Sequence, residues 1–171
     1  EIDPKNFYAL NFCGCIQREK KRLDEGIDLL ARAVAVQPGN EDGHYNLGNV
    51  YKDAERWDKA IGCYEKSLGI KPQYPEALNN LGICLKNVER YDHSVIVLQR
   101  AVTIQPGFAG AWLNLGNTLK EQEKLEAAIK SYRKSIELKP DFADAYWNLA
   151  HLLKEVGEAE EAIANYRKVI E

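Results

Sequence analysis

The sequence contains no methionine, so Glu1 is not a translation start, and the chain is expected to be a processed product or a piece of a longer one. It has no basic excess. Its formal net charge of -3 argues against nucleic acid as a partner. No apolar run approaches the roughly 20 residues a membrane-spanning helix needs. The opening EIDPKN lacks the basic start and apolar core of a secretory leader. Cysteine is sparse, at Cys13, Cys15, Cys63 and Cys84, and its placement at apolar or helical positions does not form a disulfide framework. A reducing, cytoplasmic compartment is the expectation.

Chemistry-bearing motifs are missing too. There is no phosphate loop, no G-x-S-x-G and no H-E-x-x-H. Cys13 and Cys15 form a C-x-C, but on a helix their side chains point about 200° apart and cannot jointly hold a metal. His44, His93 and His151 are spread along the chain. These absences lead to an expectation of no metal, no cofactor and no enzymatic activity.

What the sequence does have is a period. Prolines fall at Pro4, Pro38, Pro72, Pro106 and Pro140, each 34 residues after the last. Placing that proline at repeat position 32 defines units 7–40, 41–74, 75–108, 109–142 and 143–171, with 1–6 as the tail of a preceding unit. Columns then align. Position 7 reads Cys13, Leu47, Leu81, Leu115, Leu149, and position 8 reads Gly14, Gly48, Gly82, Gly116, Ala150. Position 20 is small throughout (Gly26, Ala60, Ser94, Ala128, Ala162), and position 24 is large (Leu30, Tyr64, Leu98, Tyr132, Tyr166). Each unit holds two amphipathic patterns of helical period, a helix A and a helix B. The small residues let the two approach and the large ones fill the space between. Position 27 (Ala33, Ser67, Ala101, Ser135, Val169) is small enough to let helix B meet the next unit. The proline, lacking an N–H, ends helix B.

WLNLGNTL at 112–119, followed by Ala128, Tyr132 and Pro140, resembles the tetratricopeptide repeat pattern, and the resemblance recurs in register over the whole chain. It implies an all-α fold, a right-handed α-solenoid of five tandem helix-turn-helix units. Two departures stand out. The family's turn glycine appears only as Gly157, with Lys21, Glu55, Glu89 and Glu123 in the other units. The first unit carries Phe12, Cys13 and Gln17 at signature positions and should be the least regular.

In such a solenoid the A helices line the concave side. Positions 2, 6, 9 and 13 of helix A share the face opposite the core. Position 6 is asparagine in four successive units, at Asn46, Asn80, Asn114 and Asn148, and position 9 adds Asn49 and Asn117. A carboxamide is both donor and acceptor, so a row of them can hold the backbone of an extended peptide whatever its sequence. Tyr45, Trp147 and His151 flank the row and can add side-chain preference. The competing reading is that these amides bond within the array. The stripe's charges are acidic (Asp42, Asp53, Glu76, Glu121, Asp144, Glu155), which favours a neutral or basic segment over an acidic tail. Position 12 is cationic (Arg18, Lys52, Lys86, Lys120, Lys154) and reads as a solvated edge paired with the position 13 acids.

The function expected is therefore a protein-interaction scaffold. Two alternatives stand beside it. Apolar residues on the last helix, Tyr166, Val169 and Ile170, would stack copies end to end as a homo-oligomer. The wording of NLGNTLKE at 114–121 and LKPDFADAYWNLAHLLK at 138–154 is similar to the repeats of O-linked N-acetylglucosamine transferases, which implies a substrate-binding arm whose catalytic part lies elsewhere.

Overall fold

The computed structural model describes residues 6–170, so Pro4, most of the tail expected at 1–6, and Glu171 lie outside it. The described residues form ten α-helices and no strand. In chain order they are α1 (Phe7–Glu19), α2 (Leu23–Val36), α3 (Glu41–Asp53), α4 (Trp57–Ile70), α5 (Pro75–Asn87), α6 (Tyr91–Ile104), α7 (Ala109–Glu121), α8 (Leu125–Leu138), α9 (Ala143–Glu155) and α10 (Ala159–Ile170). They fall into two compact units, one up to Glu89 holding α1–α5 and one from Arg90 holding α6–α10. The architecture is an all-α tetratricopeptide-type solenoid of helix pairs.

In three of the pairs the close approach is made at one point. A Cβ on Gly48 would lie 2.8 Å from the Tyr64 ring, and one on Gly116 would lie 2.5 Å from the Tyr132 ring. In the first pair the same column puts Gly14 against Leu30 at 2.6 Å. Only a residue without a side chain allows helix A to seat the position 24 side chain this deeply. Tyr64, Tyr132 and Leu30 are accordingly fully buried. Position 27 does something the sequence reading missed. Ser67 and Ser135 are buried, and their hydroxyls donate to the backbone carbonyls of Glu41 and Ala109 at 2.9 Å, tying helix B to the start of its own helix A.

The turn between A and B is a Schellman motif. Arg22 N–H bonds Gln17 O at 2.9 Å and Lys21 N–H bonds Arg18 O at 3.0 Å, and the pattern repeats at Arg56 and Glu55 and at Lys124 and Glu123. The motif needs a left-handed residue. Lys21, Glu55, Glu89 and Glu123 adopt it at φ of 61°, 54°, 60° and 59°, where Gly157 sits at 89°. Four of the five turns thus hold a side chain in a region that disfavours one.

The B-to-A turn has its own ties. Helix B ends two residues before Pro38, Pro72, Pro106 and Pro140. Two position 4 rings close over the turn: the His44 imidazole meets Pro38 O at 2.8 Å, and the Trp112 indole N–H donates to Pro106 O at 3.0 Å. Side-chain caps start α1 and α3, where Asn6 accepts from Ala9 N–H and Asn40 from Gly43 N–H.

The irregularity expected of the first pair is not in its backbone. α1 and α2 are as long as α3 and α4 and end in the same turn. Phe7, Leu10, Leu30 and Ala33 still supply its core. What differs is its outer surface, where Tyr8 and Phe12 are exposed.

Candidate functional site

Positions 6 and 9 lie one turn apart on helix A, so an asparagine at 9 and the asparagine at 6 of the next helix A can meet across adjacent repeats. They do so once in each of the two compact units. In the first, Asn49 Oδ1 accepts from Tyr64 O–H at 2.8 Å and from Asn80 Nδ2 at 2.9 Å. In the second, Asn117 Oδ1 accepts from Tyr132 O–H at 2.9 Å and from Asn148 Nδ2 at 3.0 Å. Both lone pairs of the position 9 carbonyl are taken from inside. This fixes which way the amide faces: the NH2 group lies away from the core.

The ladder residues are consequently unequal. Asn49 is nearly buried, and Asn117 is half-buried with Nδ2 unbonded among the described residues. Asn80 is buried and engaged at both ends, with Lys52 Nζ and Asn79 Nδ2 each 3.4 Å from its oxygen and Tyr45 O–H 3.4 Å from its nitrogen. Asn148 is half-buried and donates inward, and its oxygen has no partner among the described residues. Asn46 donates to Asn11 Oδ1 at 3.1 Å. Asn114 is half-buried and engaged within the chain.

The flanking residues divide as well. Tyr45 lies between two rings, 6.0 Å from Tyr64 and 4.9 Å from Tyr74. Trp147 is half-exposed and meets Tyr166 edge-on at 5.3 Å. His151 is exposed, with Nδ1 3.0 Å from Glu155 and 3.3 Å from Lys120 Nζ.

Two members of the cationic column are paired onward. Arg18 bonds Asp53 at 2.6 Å and Lys120 bonds Glu155 at 3.2 Å, each reaching position 13 of the next repeat. Two stripe acids are therefore neutralised locally. Burial pushes the Lys52 ammonium below its ordinary range, against the pull of Asp53. Asp42 accepts a hydrogen bond from Tyr74 O–H at 3.0 Å. Burial, and after it Asp42, raises that phenol well above its ordinary value.

Sequence reasoning missed the Asn–Tyr tie and Tyr74. The first had a readable signal. At Tyr64 and Tyr132 a position 24 tyrosine goes with an asparagine at position 9, whereas Tyr166 goes with His151. Where position 24 is Leu30 or Leu98, position 9 is Cys15 or Ile83.

Other chemistry is absent from this surface. Among the described residues no group of three or more His, Cys, Asp or Glu side chains is placed to hold a metal, and the four cysteines are unpaired. A cleft of about 1050 Å³ lies elsewhere, on the B-helix side of the second unit, floored by Leu125, Ile129, Leu153 and Val156. Its rim mixes Lys124 and Lys130 with Glu126 and Glu158, and Arg133 is already bound to Glu161. It contains none of the ladder residues. Among the described residues no helix is long and apolar enough to cross a membrane.

These helix pairs, their shared turn and their recurring columns define a protein built of tandem helical repeats. Sequence models of the family match it: two described as tetratricopeptide repeat, at residues 41–74 and 75–108, and one described as TPR repeat, at residues 116–157. The chain is a tetratricopeptide repeat protein. Solved structures are similar over nearly its whole length. A crystal structure of MamA matches with a TM-score of 0.83 at 25% identity, covering 92% of each chain. PilF of Pseudomonas aeruginosa matches with 0.87 at 23% identity, covering 96% of this chain and 75% of its own. YrrB, described as a TPR protein with an unusual peptide-binding site, matches with 0.77 at 21% identity, covering 98% of this chain and 87% of its own. None of the curated proteins matches the sequence.

Proposed function

We propose that this chain is one array of five repeats that acts as a protein-interaction scaffold in a reducing compartment and is not an enzyme. Its helix A faces hold an extended peptide segment by its backbone. The observation that carries the reading is the fixed amide orientation at Asn117 and Asn148. Asn117 turns its NH2 outward while Asn148 keeps its carbonyl oxygen unbonded. Side by side they offer a donor and an acceptor, the complement of a peptide group's C=O and N–H. Asn49 repeats the orientation in the first unit. The likeness to YrrB and its peptide-binding site supports the same use of this fold. The exposed acids of the stripe, Asp42, Glu76 and Asp144, favour a neutral or basic segment.

The test is Asn117→Asp. The carboxylate still accepts from Tyr132 and Asn148, so the fold is kept, but the outward donor becomes an acceptor. In a peptide-array screen followed by titration of a neutral hit, affinity should fall about tenfold, the scale of one lost hydrogen bond in a desolvated site. Equal binding by the variant would remove the amide clamp, and an absence of any peptide binding to the parent chain would remove the reading itself.

A second reading, association between copies, is favoured by the exposure of Ile163 and Ile170 on α10. Sedimentation velocity over a wide concentration range tests it. A mass that rises with concentration, and stays monomeric in Ile163→Ser/Ile170→Ser, supports it, and a constant monomer mass ends it.

A further inference from the structure

α1 carries two large aromatic side chains that its core does not use. Tyr8 is 73% exposed and Phe12 is 68% exposed. They occupy positions 2 and 6, the stripe that continues through Asp42 and Asn46 on α3 and Glu76 and Asn80 on α5. Position 2 is exposed on α3 and α5 as well, at Asp42 and Glu76. The exposure of Tyr8 therefore belongs to its place on the helix, and what is peculiar to α1 is that the place holds an aromatic ring. An exposed aromatic pair is the usual mark of a contact surface.

The adjoining part of the same face has opposite chemistry. Asp42 accepts from the Tyr74 hydroxyl at 3.0 Å, Glu76 follows Tyr74 by two residues, and the Tyr74 ring lies 4.9 Å from Tyr45. The hydrogen-bond partner of Asp42 is a neutral phenol, and Glu76 has no ion pair among the described residues. Lys71, the cation beside them, sits over the Tyr74 ring at 4.4 Å and is turned to Glu41 at 4.0 Å. The two carboxylates thus face outward beside aromatic rings with their charge uncompensated by a direct ion pair. A cationic side chain satisfies both features, since it pairs with carboxylate and stacks on aromatic edges or faces.

Spacing sets the motif. Packed helices lie about 8–10 Å apart, and an extended chain rises about 3.3 Å per residue, so one repeat corresponds to about three residues of ligand. We infer that the face formed by α1, α3 and α5 selects an extended peptide segment bearing a large apolar side chain, seated on Tyr8 and Phe12, and an arginine or lysine about three to six residues away, seated between Asp42 and Glu76. The inference rests on the peptide-binding reading above and gives it a ligand class. Arginine fits better than lysine, because its planar fork can reach a carboxylate while its face lies on a tyrosine ring.

Fluorescence anisotropy with short labelled peptides in a Gly/Ser background tests this on the chain as it stands. The peptides carry Leu alone, Arg alone, both at varied spacing, or Leu with Glu in place of Arg. The Leu-plus-Arg peptide should bind roughly tenfold tighter than either single-residue peptide and weaken with added salt, and the Glu peptide should bind worst. Asp42→Asn/Glu76→Gln should abolish the arginine advantage and its salt dependence. Tyr8→Ser/Phe12→Ser, at exposed positions that leave the fold intact, should abolish the leucine advantage. If peptides bind but neither residue matters, or the preference survives both double variants, the two-part motif is wrong while peptide binding stands. If no peptide binds, both fall together.

Discussion

Tyr64 donates its phenolic hydrogen to Asn49 Oδ1 at 2.8 Å from a position with no exposed surface, and the same oxygen takes a second bond from Asn80 of the next repeat. One buried acceptor thus joins helix B, helix A and the following helix A. Tyr132, Asn117 and Asn148 repeat the arrangement. A hydrogen bond placed this way does two jobs: it compensates a buried hydroxyl, and it decides which end of an asparagine faces outward.

Removing one arm of that junction should weaken the array measurably. Tyr64→Phe keeps the ring and loses about 0.5–1.5 kcal/mol, the net worth of one hydrogen bond. Asn80→Ala acts on the same acceptor, so the double variant should depart from additivity. Urea denaturation of the two single variants and the double checks this. Additive losses would mean that the two bonds are independent.

The left-handed turn residues offer stabilisation. Glu55→Gly and Glu123→Gly should each raise stability by about 0.5–1 kcal/mol, because glycine has no side chain to strain at φ near 60° and the gain exceeds its added chain entropy. Gly157→Ala should do the reverse. Thermal unfolding midpoints measure both signs in one protein.

Two kinds of glycine should respond oppositely to alanine. Gly48→Ala forces a Cβ to 2.8 Å from the Tyr64 ring and should cost about 1–3 kcal/mol. Gly62 lies within α4 with no atom within 4 Å of an added Cβ, so Gly62→Ala should stabilise by about 0.5–1 kcal/mol. Circular dichroism melts of the two variants against the parent distinguish them. A loss at both positions would mean the helix pairs are too tight for any added methyl.

The thiols set an alkaline limit. Burial raises Cys63 to about 11 and Cys84 to about 12 from an ordinary value of 9.0. A buried group with a raised value holds its proton more tightly when folded, so above pH 9 the unfolded chain releases protons that the folded chain keeps. Stability is intact below about pH 9 and falls as pH climbs toward 11 and 12. Urea midpoints taken from about pH 8 to about pH 11, across the range in which thiols ionise, should decline. Cys63→Ala/Cys84→Ala should flatten part of that slope. Iodoacetamide at neutral pH should leave Cys84 unmodified until denaturant is added.

The fold was legible because a repeat writes the same physical requirement several times. A single glycine beside a large residue means little, but Gly14, Gly48 and Gly116 opposite Leu30, Tyr64 and Tyr132 state a packing rule, and the geometry obeys it. The prolines marked where the first four B helices stop for the same reason. The turn was less legible. Lys21, Glu55, Glu89 and Glu123 are poor candidates for a left-handed residue on propensity, and they adopt it because the two helices they join are already placed by the core.

By itself, then, the sequence determined the helix pairs, their order and where the B helices before the prolines stop, since these follow from period and residue size. Tertiary structure alone decided what each amide does. Asn80 became buried and engaged at both ends while Asn117 kept a donor facing outward. Those outcomes depend on which neighbour from an adjacent repeat arrives within hydrogen-bonding distance, and no local pattern in one repeat contains that information.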